Sequence, residues 1–551
     1  MRSSASSTPF WRDNFEGVRV EFEGARSANS QQDQIDLSLE AGFDFNGGRS
    51  NLSVFATATN RDPLWAYERD FARSSDLRPL VNDAAFQAIS AFRNTSVDTP
   101  WPEFRRLTST YALSTTSLSI NGTTITSTSS GAATFHIQPN TNDGCLGGLD
   151  AAGPGTCYDN SVLATTGSDE NLRYNTNDER SLWGDTQRRN IFAFLNHDLG
   201  GGIELFGELG GYQSDFVTYR EQETPLSTQR LIVPATNYWN PFGPVGSPNR
   251  AAVTNASAGG VSFDLQDYRP VDAGPMRVNV EQLVVRALVG LRGDWNGWDW
   301  ESAYTYSRAQ TNDTMRQPSM TLFQDALART DATAYNPFSG GDPDDPANGD
   351  TSRNPQSVID SFMVNVERES STSMSMVDFR VSRPDLFRIW GAQPVGVAAG
   401  VEFRHETYED DRDARLDGTI PFTPFADPVD PNISDVMGVS PTPDTRGSRD
   451  VASAFLELAV PLVSPDMNIP MVHSLEAQLA VRYEDYTAFG DITRPKVALA
   501  WRPIEWLMFR SAYSEGFRAP NLPQQYERGI LRSAEIRGKD WIRCGDLQNH
   551  R

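Results

Sequence analysis

Residues that could catalyse a reaction or hold a metal are scattered along this sequence. None of its five histidines has a second ligand at the spacing that a metal site requires. The serine-nucleophile elbow, the phosphate-binding loop and the dinucleotide fingerprint do not occur. We therefore expect no catalytic residue, no metal and no cofactor. The histidines are His136, His197, His405, His473 and His550.

One pair of carboxylates could support acid–base chemistry. Glu204 and Glu208 are four residues apart in a segment that alternates apolar and polar residues. Positions four apart in a strand share one face, so both groups would equally line the polar side of a sheet. We favour this second interpretation.

The best candidates for binding a ligand are aromatic residues in two long polar segments. Tyr238, Trp239 and Phe242 surround an Asn-Pro step, and Tyr335 and Phe338 surround another. Such rings could stack on a sugar or a chelate at a binding mouth. Alternatively, the Asn-Pro turns and the Phe side chains only pack the segments together, which is the favoured interpretation.

The cysteines bear on the cellular compartment. Cys145 and Cys157 are separated by a glycine-rich stretch, and Cys544 lies far away. In an oxidising compartment we expect a disulfide between Cys145 and Cys157, with two unrelated thiols as the alternative.

Composition narrows the class of protein further. The chain has 551 residues and a net charge of −24, which argues against a nucleic-acid partner. Its mean hydropathy is −0.48, and no stretch approaches the ~18 apolar residues of a membrane-spanning helix. A membrane β-barrel remains possible, because only alternate residues of its strands face lipid.

The elements that would position these residues are predicted to be long strands. Alternate residues from Ile35 to Phe45 are apolar, Asn46-Gly47-Gly48 can form a tight turn, and the alternation resumes from Leu52 to Ala58. Arms of ~10–13 residues exceed soluble strands and suffice to cross a bilayer. The unit recurs, and we predict about thirteen antiparallel strands.

Connection lengths predict how the strands are arranged. Long connections near 60–186, 216–280, 310–372 and 408–451 alternate with short turns. Outer-membrane barrels have short periplasmic turns at one rim and long external loops at the other, whereas a soluble sandwich or propeller needs no such asymmetry. The tryptophans beside short turns would form an aromatic girdle at the membrane interface, or only cross-strand aromatic pairs. They are Trp298, Trp300, Trp501 and Trp506.

A motif near the C-terminal end resembles a known family. The run from Tyr513 to Leu522, Tyr-Ser-Glu-Gly-Phe-Arg-Ala-Pro-Asn-Leu, is similar to the barrel motif of TonB-dependent receptors, with Gly516, Phe517, Arg518 and Pro520 as its most specific positions. The resemblance implies an outer-membrane receptor of a Gram-negative bacterium. It also implies a barrel of about 22 strands, a plug domain, and a TonB energy-coupling complex that binds an N-terminal region.

The sequence departs from that family at both ends. We find no plug domain and no energy-coupling segment, and we expect the chain to be a partial barrel. The predicted division is a lead-in at residues 1–16, the partial barrel at 17–526, and the start of an external loop at 527–551. An open barrel would leave unpaired strand edges in lipid, so the function belongs to the intact protein.

The resemblance predicts that the intact protein imports a scarce ligand, such as a siderophore or an oligosaccharide, in a TonB-dependent way. Outer-membrane lipid and a small-molecule or glycan ligand are the expected partners. The alternatives are a passive porin-like channel and a surface β-protein with a binding or adhesive role. The ligand and the residues that contact it do not follow from the sequence.

Overall fold

A single large antiparallel sheet of thirteen strands dominates the fold. The computed structural model describes residues 15–83, 92–128, 131–139, 156–159, 172–339, 354–389 and 393–527. Each strand pairs with its neighbours in sequence, and β1 and β13 form the two edges. The strands are β1 Gly17–Arg26, β2 Asp33–Phe45, β3 Ser50–Arg61, β4 Asp185–Gly200, β5 Ile203–Arg220, β6 Met276–Trp295, β7 Trp298–Pro318, β8 Met363–Arg388, β9 Pro394–Arg412, β10 Thr445–Val463, β11 Ser474–Tyr486, β12 Gly490–Ile504 and β13 Leu507–Ser514.

The predicted hairpins are present in the sheet. β2 and β3 pair from Gln34 opposite Arg61 to Phe45 opposite Ser50. The turn between them needs left-handed backbone, and Asn46 and Gly47 have φ angles of 55° and 71°. The prediction of an all-β fold with about thirteen antiparallel strands is therefore confirmed.

The two faces of the sheet differ in polarity. Val401 and Phe403 on β9 are 57% and 54% exposed on one face, which we call the outer face. Glu402 and Arg404 alternate with them along the strand and point to the opposite, inner face, where they form an ion pair at 2.6 Å. An exposed apolar face and an ion-paired polar face are the arrangement of a membrane barrel wall. No helix in the described part of the chain is long and apolar enough to cross a membrane.

Several strands are longer than the 10–13 residues predicted. β7 has 21 residues and β8 has 26. They are longer because backbone pairing continues beyond the apolar segment, where the outer face turns polar: Asp215 on β5 lies opposite Glu281 on β6. The alternation of apolar residues marks only the part of a strand that faces lipid.

Glycines on the inner face make room for large rings on neighbouring strands. A Cβ added to Gly290 on β6 would lie 2.4 Å from the ring of Phe206 on β5. A Cβ on Gly400 on β9 would lie equally close to the ring of Phe455 on β10. Each ring covers the backbone of the glycine across the strand pair, which stabilises a strand position that has no side chain of its own.

The long connections contain secondary structure that the sequence analysis did not predict. Their strands are Leu64–Trp65, Glu103–Arg106, Ser119–Ile120, Thr123–Thr124, Thr134–Pro139, Thr156–Asp159, Ser181–Trp183, Leu231–Val233, Val253–Thr254 and Phe263–Gln266. The long connections also contain the helices Met320–Ala328 and Gln356–Asp360 and the short 3₁₀ turns Ala66–Glu68, Arg78–Leu80, Thr176–Glu179 and Val271–Ala273. Outside them, a 3₁₀ turn spans Pro465–Met467 between β10 and β11, and a helix spans Leu522–Tyr526 after β13.

Candidate functional site

The four long connections pack together at one rim of the sheet. They comprise the described residues of 62–184, 221–275, 319–362 and 413–444, which we call the loop assembly. One continuous hydrophobic core takes residues from all four. The large side chains of this core are Phe104, Phe135, Tyr158, Phe242, Phe263, Tyr268, Phe323, Tyr335, Phe338, Phe362 and Phe422. The loop assembly is therefore a folded unit over the rim that carries the long connections.

A small sheet joins the first two connections within the loop assembly. Its strand order is Leu231–Val233, Phe263–Gln266, Glu103–Arg106, Thr134–Pro139 and Thr156–Asp159. Alternation along these short strands sends aromatic rings into the core, and the ring centroids of Phe104 and Phe135 lie 5.0 Å apart.

The two Asn-Pro-Phe segments adopt the same local structure. The side-chain oxygen of Asn240 accepts a hydrogen bond from the backbone N–H of Phe242 at 2.9 Å. Asn336 does the same for Phe338 at 3.0 Å. Each asparagine thus closes a turn that aims the following phenylalanine into the core. Phe338 stacks on Phe104 with centroids 4.6 Å apart.

The structure places the five aromatic ligand candidates in two different environments. Phe242, Tyr335 and Phe338 are at most 1% exposed, so their rings have no free face, and their placement favours the packing interpretation. Tyr238 and Trp239 are half-buried at the surface of the loop assembly. The indole N–H of Trp239 donates to the carbonyl of Ala334 at 2.9 Å, which fixes the orientation of the ring.

A buried polar network lies beside the aromatic core. The hydroxyl of Tyr335 donates to the carboxylate of Asp272 at 2.9 Å and also contacts the hydroxyl of Tyr268. The side-chain amide of Asn354 donates to the same carboxylate at 2.9 Å. Burial raises the pKa of both tyrosines well above the ordinary value, and the charge of Asp272 raises each pKa further.

These raised pKa values predict that the loop assembly loses stability in alkali. A tyrosine with a raised folded-state pKa stabilises the fold below the unfolded pKa of about 10, and this contribution is lost as pH rises towards the folded value. Near-ultraviolet circular dichroism of the protein should therefore change above about pH 10, together with phenolate absorbance. Tyr335→Phe should reduce the pH dependence. A change in phenolate absorbance without a change in the circular dichroism would contradict the prediction.

Asp435 connects the fourth connection to the third. Its buried carboxylate accepts hydrogen bonds from the hydroxyl of Ser319 at 2.6 Å and from the backbone N–H of Thr321 at 2.8 Å. Arg415 donates to it at 3.0 Å. Ser319 also caps the helix Met320–Ala328. The carboxylate thus lies at a helix N-terminus, where the unpaired N–H groups favour a negative charge.

Ion pairs line the inner face beneath the loop assembly. Arg292 on β6 contacts Glu204 on β5 at 2.8 Å, and Arg286 contacts Glu208 at 2.7 Å. Both carboxylates are therefore held by arginines of the neighbouring strand, in agreement with the interpretation that they line the polar side of the sheet. Arg380 on β8 forms a further pair with Glu301 on β7.

The family-like motif leaves the sheet at the end of β13 and returns to the inner face. The ring of Phe517 lies against Tyr486, with centroids 6.0 Å apart. The carbonyl of Pro520 accepts a hydrogen bond from Arg449 on β10 at 2.7 Å. Gly516 and Arg518 are exposed, and a Cβ on Gly516 would meet nothing within 4 Å. The motif forms a turn whose anchor residues are Phe517 and Pro520.

The helix after the motif docks on β10. The hydroxyl of Tyr526 donates to the carbonyl of Ser448 at 2.8 Å. A Cβ on Gly447 would lie 2.2 Å from the ring of Tyr526, so only glycine leaves room for it there.

The remaining predicted residues lie as follows. Trp298, Trp300, Trp501 and Trp506 are all at or beside short turns, and their role as an aromatic girdle stays a prediction. Trp295 also lies beside a short turn and is 74% exposed, but the sequence analysis did not include it among the girdle residues. Cys157 is buried and disulfide-bonded. Cys145 lies outside the described residues, so its pairing with Cys157 stays a prediction.

Part of this chain is similar to a known protein family. Residues 272–540 match the family model described as TonB dependent receptor-like, beta-barrel. A mutant ferric enterobactin receptor (PfeA) from Pseudomonas aeruginosa is similar at 11% identity and a TM-score of 0.36, with 92% of this chain and 44% of that chain covered. The siderophore receptor PirA from Acinetobacter baumannii is similar at 8% identity and a TM-score of 0.36, with 93% and 45% covered.

The ferric-catecholate import receptor Fiu from E. coli K12 is similar at 8% identity and a TM-score of 0.31, with 90% of this chain and 60% of that chain covered. The chain thus spans less than two thirds of each of these receptors. No curated protein matches it. The match to the family model supports the resemblance inferred from the motif after β13. Residues 272–540 of this chain are therefore similar to the barrel of TonB-dependent receptor-like proteins.

Proposed function

We propose that the intact protein imports a scarce ligand across the outer membrane of a Gram-negative bacterium and is energised by a TonB complex. The observation that carries this proposal is the loop assembly, in which four connections share one core at one rim of the sheet. A folded unit at a barrel mouth can hold a ligand in a defined geometry. A passive pore needs no such unit.

The proposal assigns the loop assembly to the external side and the short turns to the periplasm. Ligand capture requires residues that extend beyond the lipid, whereas a turn such as Phe45–Ser50 only reverses the chain. Within the loop assembly, Tyr238 and Trp239 are the proposed ligand contacts, because their rings are partly exposed and fixed in place.

Uptake measurements in the native bacterium test this proposal. Strains with and without the intact gene would be offered labelled ferric siderophores and labelled oligosaccharides, each with and without a protonophore. We expect uptake of one ligand class to be lost in the deletion strain and equally lost on adding protonophore, because TonB-dependent import needs an energised inner membrane.

Two results would contradict the proposal in different ways. Gene-dependent uptake that persists with protonophore would indicate a passive channel. Gene-dependent binding at the cell surface with no uptake would indicate a surface binding protein.

A further inference from the structure

A pocket lies on the inner face, between the strands of the large sheet and the helix after the motif. Its volume is about 360 Å³. Ligand pockets commonly enclose about 300–1,000 Å³, so this one is large enough for a small ring compound. Leu522 and Pro523 of the helix form one side of it, and β6–β10 form the other. We call this space the wall pocket.

Two rows of directly opposite residues form the sheet side of the wall pocket. The first row runs across β6–β9 and consists of Val284, Ala309, Thr372 and Tyr408. The second row runs across β7–β10 and consists of Ser307, Met374, Glu406 and Arg449. The strands pair in continuous register here, so the sheet fixes the positions of these residues relative to one another.

Three hydroxyl groups of the wall pocket are open to a ligand. Within the part of the chain that the structure describes, the hydroxyls of Ser307, Thr372 and Tyr408 make no hydrogen bond. Each of them can donate and accept one. Met374 and Leu522 add apolar surface beside them. Hydroxyl groups next to an aromatic ring and apolar side chains suit a saccharide, which has hydroxyls at its edge and C–H groups on its faces.

The charged residues of the wall pocket are paired with each other. One carboxylate oxygen of Glu406 accepts a hydrogen bond from Arg449 at 2.6 Å, and the other accepts one from Arg404 at 2.9 Å. An anionic ligand that bound Arg449 would have to displace Glu406. The displaced carboxylate would then lie half-buried without its partner, which is unfavourable. The wall pocket therefore favours a neutral ligand.

Arginines elsewhere on the inner face of β6–β11 are paired in the same way. The pairs are Arg286–Glu208, Arg292–Glu204, Arg368–Asp410, Arg380–Glu301, Arg404–Glu402, Arg412–Asp410, Arg449–Glu406 and Arg482–Glu484. The exception among the described residues of these strands is Arg388, which ends β8 at the opposite rim. Asp313 and Asp378 share the inner face and form no ion pair with any described residue. Their charge repels an anion that approaches the wall pocket.

We propose that the imported ligand is a neutral oligosaccharide and that one of its sugar rings occupies the wall pocket. The hydroxyls of Ser307, Thr372 and Tyr408 exchange hydrogen bonds with the sugar, and the ring of Tyr408 packs against it. A ferric catecholate siderophore is a polyanion and would meet paired arginines and unpaired carboxylates instead. This inference rests on the proposed function and chooses between the two ligand classes named there.

Binding to the full-length receptor in detergent tests this proposal. The probes would be neutral gluco-, xylo- and manno-oligosaccharides, oligogalacturonides as acidic saccharides, and ferric enterobactin as an anionic siderophore. We expect at least one neutral series to bind and the two anionic probes not to bind. Tyr408→Phe combined with Thr372→Val should weaken binding of the neutral saccharide about tenfold, the order expected from losing two hydrogen bonds. Binding of either anionic probe, or of no neutral series, would overturn the proposal.

A matched control makes the same two substitutions on the outer face. Tyr483 and Thr493 lie directly opposite each other on β11 and β12, as Tyr408 and Thr372 do on β9 and β8. Tyr483→Phe combined with Thr493→Val should leave the affinity unchanged. Equal affinity losses in the two double variants, or no loss in either, would overturn the assignment of the wall pocket.

The uptake measurement distinguishes failure of this inference from failure of the proposed function. Uptake of a neutral oligosaccharide that persists with protonophore would contradict TonB-dependent import and leave the ligand class standing. Protonophore-sensitive uptake of a ferric siderophore would support TonB-dependent import and overturn the ligand class.

Discussion

Replacing Asp435 by alanine should separate the third and fourth connections of the loop assembly. The change removes the shared acceptor of Ser319, Thr321 and Arg415 and leaves the helix N-terminus at Met320 without its anion. Removing one member of a buried ion pair costs about 3–5 kcal/mol, and we expect the lower end because Arg415 remains partly exposed. Hydrogen exchange of the helix Met320–Ala328 in the full-length receptor should then accelerate about a hundredfold.

A surface aspartate of the same connection provides the control. Asp427 forms an exposed ion pair with Arg230 at 3.2 Å, and Asp427→Ala should cost below about 1 kcal/mol and leave the exchange of that helix unchanged. If hydrogen exchange of the helix Met320–Ala328 is unchanged in Asp435→Ala, the third and fourth connections are held together by apolar packing alone.

Truncating Phe338 should destabilise the loop assembly by about 3–5 kcal/mol, as expected for a fully buried phenylalanine. Its ring is 1% exposed and stacks on Phe104, so alanine leaves a cavity in the shared core. The rate at which a protease cleaves the loop assembly in the intact protein measures this destabilisation and should increase. Phe425→Ala is the matched control, because that ring is 39% exposed and should cost much less.

Comparison with Trp239→Ala separates packing from ligand binding. The half-buried indole should contribute less to stability than Phe338, and we expect its removal to weaken ligand binding in receptors that remain folded. If Phe338→Ala instead left proteolysis unchanged and weakened ligand binding, the buried phenylalanines would be ligand contacts after all.

Much of the sheet could be predicted because its determinants are local. Alternation from Ile35 to Phe45 and the glycines at 47 and 48 specify one hairpin without reference to the rest of the chain. The same pattern repeats, so the number of strands and the rim of each connection followed from the sequence. Strand lengths did not, since the ends of β7 and β8 pair through backbone groups and carry polar residues on both faces.

The loop assembly could not be predicted because its contacts are distant in sequence. Phe104 and Phe263 are in ring contact at 6.0 Å, yet each lies on a strand of only four residues. The Asn-Pro-Phe repeats were noticed, but a ring that binds a ligand and a ring that fills a core have the same sequence pattern. Only burial distinguishes Phe242 and Phe338 from the half-buried Trp239.

The topology also sets an order in which the parts can fold. Every strand of the large sheet pairs with its neighbour in sequence, so hairpins can be added one after another as the chain enters the membrane. The loop assembly cannot grow in this way, because Phe263 pairs with Arg106 and Asp435 must reach Ser319. Its core closes only after the strands through β9 have brought all four connections to one rim. A chain arrested earlier would expose the phenylalanines of that core, and exposed apolar surface makes such an intermediate prone to aggregation.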